Sequence, residues 1–417
     1  MKICVVTSHE AGEPRGLRHA VAAKRAFPDA EVIFKHYRAA SASPAIAPPQ
    51  LAQHQITTRP LTFPTRRSDP LALARRKITS RLERVLFRCT GIIREGVFGE
   101  RTQGLTRDLL QTPADCYLAH NIETLLPAAR AAQHWDATLV FDCMEFYRDM
   151  GDGQLSEMSR AIERIEARYL PRCNLVVAAS EELADAYVQA YGIKRPLVAY
   201  NVPPALAELP ARQGGGLNLY WRNTVIGFGQ RGLEDMLVAM TRLPPDVQLY
   251  LQGGLPGDGG KVLRAKIAQL GITNRTIILP PHRFGEAVPS AARYDVGLCL
   301  ERIGPRNHEL TVSNKMFDYH MAGLAVIASD LPGLAAVIRS SEGGVLYQPG
   351  NPDALAAAVE GLRANPARLW QLQHNARKFA LAAGNLEYEI ASISGALRKT
   401  LDQFANDSRV CRRDTGL

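Results

Sequence analysis

Residues 310–334, LTVSNKMFDYHMAGLAVIASDLPGL, place Asn314, Lys315 and Asp318 on one amphipathic helix. That helix runs into Gly323 and then into the apolar run AVIAS, which ends at Asp330. Packing alone would put leucines on this approach, whereas an amide, an ammonium and a carboxylate are residue types that hold a polar ligand. Further candidates lie upstream: Arg222 follows the strand-like LNLYW, and Arg231 opens the helical RGLEDM. His120 stands in LAHN, Glu145 in DCMEF, and Gly12 and Gly16 in the loop HEAGEPRG after the first apolar run. Each also has an ordinary reading: a solvated helix carboxylate for Asp318, surface cations for Lys315, Arg222 and Arg231, a loop histidine for His120, and a common turn for the glycines.

The elements that would position these residues read as two βα series. KICVVT, AEVIFKHY, DCYLAH, TLVFDC and NLVVAAS are short and apolar throughout, as strands covered on both faces should be. Helical patterns such as TLLPAARAAQHW and SEMSRAIERIEARYL separate them. The prolines and the glycine triplet of PLVAYNVPPALAELPARQGGG mark a linker, and the series then restarts with LNLYW, VQLYLQG, TIILP, DVGLCL, AVIAS and GGVLY. This predicts an α/β protein of two Rossmann-like, doubly wound parallel-sheet domains facing across a cleft, one over 1–200 and the other over 201–385. Residues 386–417 are expected to form a C-terminal helix able to pack back on the first domain, ending in a frayed tail, SRVCRRDTGL. Open parallel sheets bind ligands beyond the carboxyl ends of their strands, so each domain should offer one side of a site.

Composition narrows the chemistry. A chain of 417 residues with 46% hydrophobic and 22% charged residues is a globular protein long enough for two cores. No apolar run reaches the roughly 18–20 residues that span a bilayer, and MKICVVTSHEAG lacks the apolar core of a signal peptide, so a cytoplasmic location is expected. The seven cysteines, at 4, 89, 116, 143, 173, 299 and 411, are scattered singly. With no C-x-x-C pair and no histidine at ligand spacing, they argue against structural zinc and against a disulfide framework, and no metal is expected. No G-x-G-x-x-G follows the first strand, and neither G-x-x-x-x-G-K-[ST] nor G-x-S-x-G occurs. Hydride transfer, P-loop chemistry and serine hydrolysis thereby lose their simplest support.

The net charge of +9 is concentrated: Arg59 to Arg107 holds 12 Lys and Arg against 4 Asp and Glu. Within it Leu71, Ala74, Ile78, Leu82, Val85 and Cys89 recur at helical spacing, beside a stripe of Lys77, Arg81, Arg84 and Arg88. A basic amphipathic helix over 71–89 has two main readings: a solvated face with snorkelling arginines, or a docking face for an anionic membrane surface. Nucleic acid is not expected, since no aromatic platform or binding motif interleaves the charges.

Taken in order, QRGLEDMLVAM, VQLYLQGG, IILPPHRFGEAVPSAARYDVGLCL, SNKMFDYHMAGLAVIASDLPGL and GGVLYQPGNPDALAAAV resemble the nucleotide-sugar-binding domain of the GT-B glycosyltransferases of family four, the group one transferases. The branch resembled carries N-K-[LM]-F-[ED]-Y. In the first half, ADCYLAHNIETLLPAARAA and TLVFDCMEFYRD resemble that family's acceptor-side domain. The likeness covers most of 110–365 and is strongest over 280–352.

The resemblance implies roles. Asp318 matches the acidic residue that holds the ribose hydroxyls. Ser313 and Asn314, within the approach Thr311 to Lys315, would offer backbone N–H groups to phosphate or sugar, with Lys315 as a point charge. Arg231 matches the basic position before Gly-Leu that stabilises the leaving diphosphate, and Arg222 the cation ahead of it. His120 matches a histidine that contacts the transferred sugar, Gly12 and Gly16 a loop that touches both substrates, and Glu145 an acceptor-side carboxylate. Two positions depart from the pattern. Leu310 stands where the first of two glutamates eight apart is usual, with Glu309 one residue early, and Met144 replaces the histidine before Glu145.

The implied activity is retaining transfer of a hexose from a UDP- or GDP-sugar to a glycan or lipid-linked acceptor, without a cofactor. The implied setting is surface polysaccharide or lipopolysaccharide synthesis on the cytoplasmic face of a membrane. A sugar-nucleotide epimerase or hydrolase would use the same donor domain, and a catalytically silent assembly partner would account for Leu310 and Met144.

Overall fold

Every described strand is short and pairs in parallel with its neighbours, as the uninterrupted apolar runs require. The computed structural model describes residues 1–38, 48–63, 65–150, 156–229, 231–255, 257–283 and 285–414. The chain divides into two units, Met1–Ala199 with Ile390–Leu417, and Tyr200–Glu389.

The first unit holds β1 (Lys2–Thr7), β2 (Glu31–Arg38), β3 (Thr57–Thr62), β4 (Cys116–His120), β5 (Thr138–Cys143), β6 (Leu175–Ala178) and β7 (Leu197–Val198). Their order is β3-β2-β1-β4-β5-β6-β7, so the direction of winding reverses between β1 and β4. The sequence TTRPLT of β3 has no apolar periodicity. It pairs with β2 along the sheet edge, where Pro60 leaves no inner ladder bond unmade. The helix Leu386–Asp414 closes this unit: Ser394 donates to the Ala22 carbonyl at 2.9 Å, and Ile393, Leu397 and Leu401 join the core of Ile3, Val5, Val32 and Phe34. It continues to Asp414, into the stretch expected to fray, and residues 415–417 lie outside the described residues.

The second unit holds β8 (Leu217–Val225), β9 (Val247–Gly254), β10 (Thr276–Leu279), β11 (Val296–Cys299), β12 (Ala325–Ser329) and β13 (Gly344–Tyr347), in the order β10-β9-β8-β11-β12-β13. Winding reverses between β8 and β11. Fully buried Trp221 packs with Leu219, Leu233, Leu249 and Leu298 at its centre. The proline-rich stretch ahead of β8 carries no regular structure but is not a free tether. The Glu387 carboxylate accepts from the Ala205 N–H at 2.9 Å, Glu389 accepts from the Tyr200 N–H at 3.1 Å, and Arg212 donates to the Gly323 carbonyl at 2.6 Å.

A buried charge cluster organises the carboxyl edge of the first sheet, where β1 and β4 part. Glu13 caps the helix Pro14–Ala26, accepting from the N–H groups of Arg15 at 2.9 Å and Gly16 at 2.5 Å. The cap directs Arg15 inward, where its guanidinium forks onto Asp142 at 2.6 and 2.7 Å and donates to the Ala199 carbonyl at 2.8 Å. His120 Nδ1 lies 2.9 Å from the same carboxylate, and the rings of His19 and His120 are 4.5 Å apart. Burial pushes the Asp142 carboxyl upward, but Arg15, His19 and His120 override it and hold it well below the usual range. Burial also drives the His19 imidazole well below the usual histidine range, against the pull of Asp142. On the helix Glu157–Tyr169, buried Glu166 accepts from Tyr187 at 2.7 Å and Tyr191 at 2.6 Å, and burial lifts its carboxyl to about 7 despite both bonds.

Removing one member of a buried pair strands the other, so Asp142→Ala is expected to destabilise the chain by about 3–5 kcal/mol in denaturant unfolding. Glu166 gives a pH signature. Its folded value lies above its unfolded value of 4.5, so its favourable contribution is complete below 4.5 and is lost as pH rises through about 7. The thermal midpoint of Glu166→Gln should therefore gain on that of the parent as pH is raised from 6 to 8 in scanning calorimetry. A constant difference across that window would show that Glu166 is ionised throughout.

Candidate functional site

The crevice at the carboxyl ends of β8 and β11, where winding reverses, is the place an open parallel sheet offers to a ligand. Arg222 lies there at an irregularity in β8: pairing with β9 shifts register between Arg222 and Val225 and resumes at Val225 with Gly254. Its N–H donates to the Tyr319 hydroxyl at 3.2 Å, and its guanidinium makes a close ion pair with Asp318. Both side chains are mostly buried. Arg222 engages one carboxylate oxygen, Oδ2, and the second remains able to accept from a ligand hydroxyl.

Gly232 makes the next turn possible. It sits at φ +60°, and a Cβ there would come within 2.8 Å of the Leu300 Cβ. This close approach sets Arg231, just ahead of the helix Leu233–Met240, over the residue following Leu300. That residue is Glu301, whose carboxylate receives Arg231 Nη1 at 2.6 and 2.7 Å. The Glu301 backbone is fixed by Ser329, which accepts from its N–H at 2.8 Å and donates to its carbonyl at 2.7 Å. Lys315 reaches the same carboxylate from the helix Asn314–Met321, with Nζ 3.4 Å from Oε1 and 5.7 Å from the centre of the Trp221 ring. The Lys315 side chain is only 7% exposed, and its ammonium makes no hydrogen bond among the described residues. Arg231 is 42% exposed, so one of the two cations faces solvent and the other lies beneath it.

Ser313 caps that helix by its backbone alone, with no side-chain cap bond, and Asn314 is exposed at its first turn. The first N–H groups of the helix therefore have no side-chain cap. Leu310, at the position of the missing glutamate, is buried, and a Cβ at Gly333, in the helix Pro332–Ser341, would come within 2.8 Å of its carbonyl oxygen. The structure thus brings Arg222, Arg231, Lys315 and Asp318 together at one sheet edge and adds Glu301. Glu301 carries no signal of its own in the sequence, because it follows DVGLCL and reads as the end of a strand.

His120 ends β4 with no exposed surface, held on Asp142. The next residue, Asn121, adopts φ 69° and ψ 154°, a conformation otherwise almost confined to glycine, and is held by Nδ2 donating to Ser8 Oγ at 3.1 Å. His19, His120 and Asp142 are spaced as metal ligands, with their ligating atoms within 4.8 Å of one another. Arg15 already occupies that carboxylate with a full positive charge, which opposes a second cation. Gly16 is buried against Phe34 and the Glu13 carboxylate, whereas Gly12 is exposed with open space about it. Glu145 is half-buried, and its carbonyl accepts from the Tyr187 hydroxyl at 2.9 Å.

Comparison with known proteins bears on both units. Residues 224–365 match the family model of the group 1 glycosyl transferases. The α-maltose-1-phosphate synthase of Mycolicibacterium smegmatis is 27% identical over 188 residues, which are 42% of this chain and 44% of that protein, so the match spans less than half of the relative. Among solved structures, Anabaena HepE in complex with UDP superposes with a TM-score of 0.67 at 17% identity, over 97% of this chain and 100% of that one. Sucrose-phosphate synthase of Thermosynechococcus elongatus superposes with a TM-score of 0.64 at 16% identity, over 97% and 100%. The chain has the fold of the GT-B glycosyltransferases, and the segment that matches the group 1 model contains Arg231, Glu301, Lys315 and Asp318.

Proposed function

We propose that the protein transfers a hexose from a UDP- or GDP-sugar to a hydroxyl of a glycan or lipid-linked acceptor, with retention of configuration and without a metal. The observation that carries this reading is the pair of cations, Arg231 and Lys315, converging on one carboxylate where β8 and β11 part. A nucleoside diphosphate brings about two negative charges, which suit two such cations and an uncapped helix start. Asp318, held by Arg222 through one oxygen, takes the ribose diol on the other. The structural neighbour from Anabaena was crystallised with UDP and with UDP-glucose, which supports a sugar-nucleotide donor, and the M. smegmatis relative is named for making a glycosyl phosphate, which supports chemistry at a sugar.

In the proposed reaction the bond between the sugar's anomeric carbon and the diphosphate oxygen breaks. Arg231 and Lys315 neutralise the departing charge while the acceptor oxygen bonds to the same face. The acceptor proton passes to a donor phosphate oxygen, so no protein nucleophile is needed. Preorganised cations aimed at developing leaving-group charge are among the largest catalytic effects available in a water-excluded site.

Titration calorimetry with UDP, GDP and their sugars, in EDTA, tests the donor site. One nucleotide should bind saturably, with Asp318→Ala at least about ten-fold weaker, as expected for losing a charged hydrogen-bond acceptor. A folded protein that binds neither nucleotide would overturn the reading in favour of a catalytically silent partner. Arg231→Ala should lower kcat/KM by roughly 10²-fold once an acceptor is in hand. Glu301→Gln removes the charge that competes with the diphosphate. It should therefore tighten nucleoside diphosphate binding about five-fold, on the order of 1 kcal/mol, and weaker binding would mean that Glu301 itself touches the donor.

A further inference from the structure

The helix Pro70–Thr90 turns its apolar stripe away from the protein. At 3.6 residues per turn, Leu71, Ile78, Leu82, Val85 and Cys89 fall within an arc of about 60°. All five are exposed, Leu71 at 77% and Leu82 at 64%. The buried residues, Ser80 and Phe87, lie on the opposite side, where Phe87 packs on Val97 and Ala161. Polar bonds complete the attachment: Glu83 accepts from the Gly96 N–H at 2.6 Å, Arg84 donates to the Val97 carbonyl at 3.2 Å, and Arg88 pairs with Glu157 at 2.5 Å. Asp69 caps one end and left-handed Gly91 closes the other, so the helix is a finished element whose apolar face has no covering among the described residues of its own unit.

The charges beside that stripe indicate what would cover it. Exposed Lys77 and Arg81 flank one side. Arg75 flanks the other, at the lip of a groove of about 820 Å³ lined by Arg76 and Arg107 together with Asp69, Glu83 and the Arg130–Glu95 pair. The segment from Arg59 to Arg107 carries 12 Lys and Arg against 4 Asp and Glu. A second copy of the same helix would bring like charges together, whereas an anionic lipid surface presents phosphates to the flanks and acyl chains to the stripe.

We propose that this helix is an interfacial anchor that lies in the plane of an anionic phospholipid bilayer, with its leucine and isoleucine side chains below the headgroups and its cations among them. The inference is independent of the donor site, which lies in the other unit. The full chain should co-sediment with vesicles of phosphatidylcholine mixed with phosphatidylglycerol about ten-fold more than with phosphatidylcholine alone, and less as salt is raised. Ile78→Asp with Leu82→Asp should abolish co-sedimentation, and Lys77→Glu with Arg81→Glu should reduce it strongly. Both variants change exposed side chains only, and unchanged nucleotide affinity and thermal midpoint would exclude misfolding as the cause. Failure of the parent protein to sediment with the mixed vesicles, or equal sedimentation of the Ile78→Asp, Leu82→Asp variant, would overturn the proposal. So would a lipid-independent dimer, measured by light scattering and lost in that variant, because it would give the stripe to a second copy.

Discussion

Glu301 is the residue on which the crevice of the second unit depends. Arg231 and Lys315 come from segments more than eighty residues apart in the chain, and at this separation two unscreened cations would repel strongly. One carboxylate between them converts the repulsion into two attractions. The price in flexibility is small because Ser329 holds the Glu301 backbone through both its N–H and its carbonyl. The arrangement is also provisional. A ligand bringing two negative charges can satisfy the same cations, and then Glu301 becomes the group that must be accommodated. Binding in such a crevice is an exchange of anions rather than the filling of an empty cationic hole.

The first unit uses similar ingredients to a different end. Arg15, Asp142, His19 and His120 also gather where winding reverses, at the equivalent edge of the sheet. There the arginine is 1% exposed and spends its donors on Asp142 and the Ala199 carbonyl. No cation of that cluster faces solvent, so the set locks the start of the helix Pro14–Ala26 to β5 and the chain at Ala199. In the second unit Arg231 is open to solvent and the Lys315 ammonium makes no hydrogen bond among the described residues, which leaves donors available. Residue type and sheet position are shared, and exposure and saturation separate a clamp from a site.

Much of the architecture was legible in the sequence because strands buried on both faces must be apolar throughout. KICVVT, TLVFDC and AVIAS need no partner to be recognised, and the repeated alternation with helices dictates parallel sheets. The edge strand TTRPLT was not legible, since an edge needs neither an apolar run nor a donor at Pro60. Glu301 was hidden for another reason. Its importance lies in contacts with Arg231 and Lys315, and pairings of that kind leave no periodic trace. The Arg222–Asp318 pair, 96 residues apart, escaped for the same reason.

Periodicity was least informative on the basic helix. The spacing of Leu71, Ile78, Leu82 and Val85 identifies an amphipathic helix, but it cannot say which side the protein core takes. In the folded chain the core takes the narrow face of Ser80 and Phe87 instead. A helix in this position could have been attached by its broad apolar stripe, which would bury more surface and stabilise the unit further. Attaching it through one phenylalanine and a few polar bonds leaves several large side chains in water, an unfavourable arrangement for the isolated protein. Such an arrangement makes physical sense when the exposed stripe has a low-dielectric surface to meet, and the cations along both its edges fix the sign of that surface as negative.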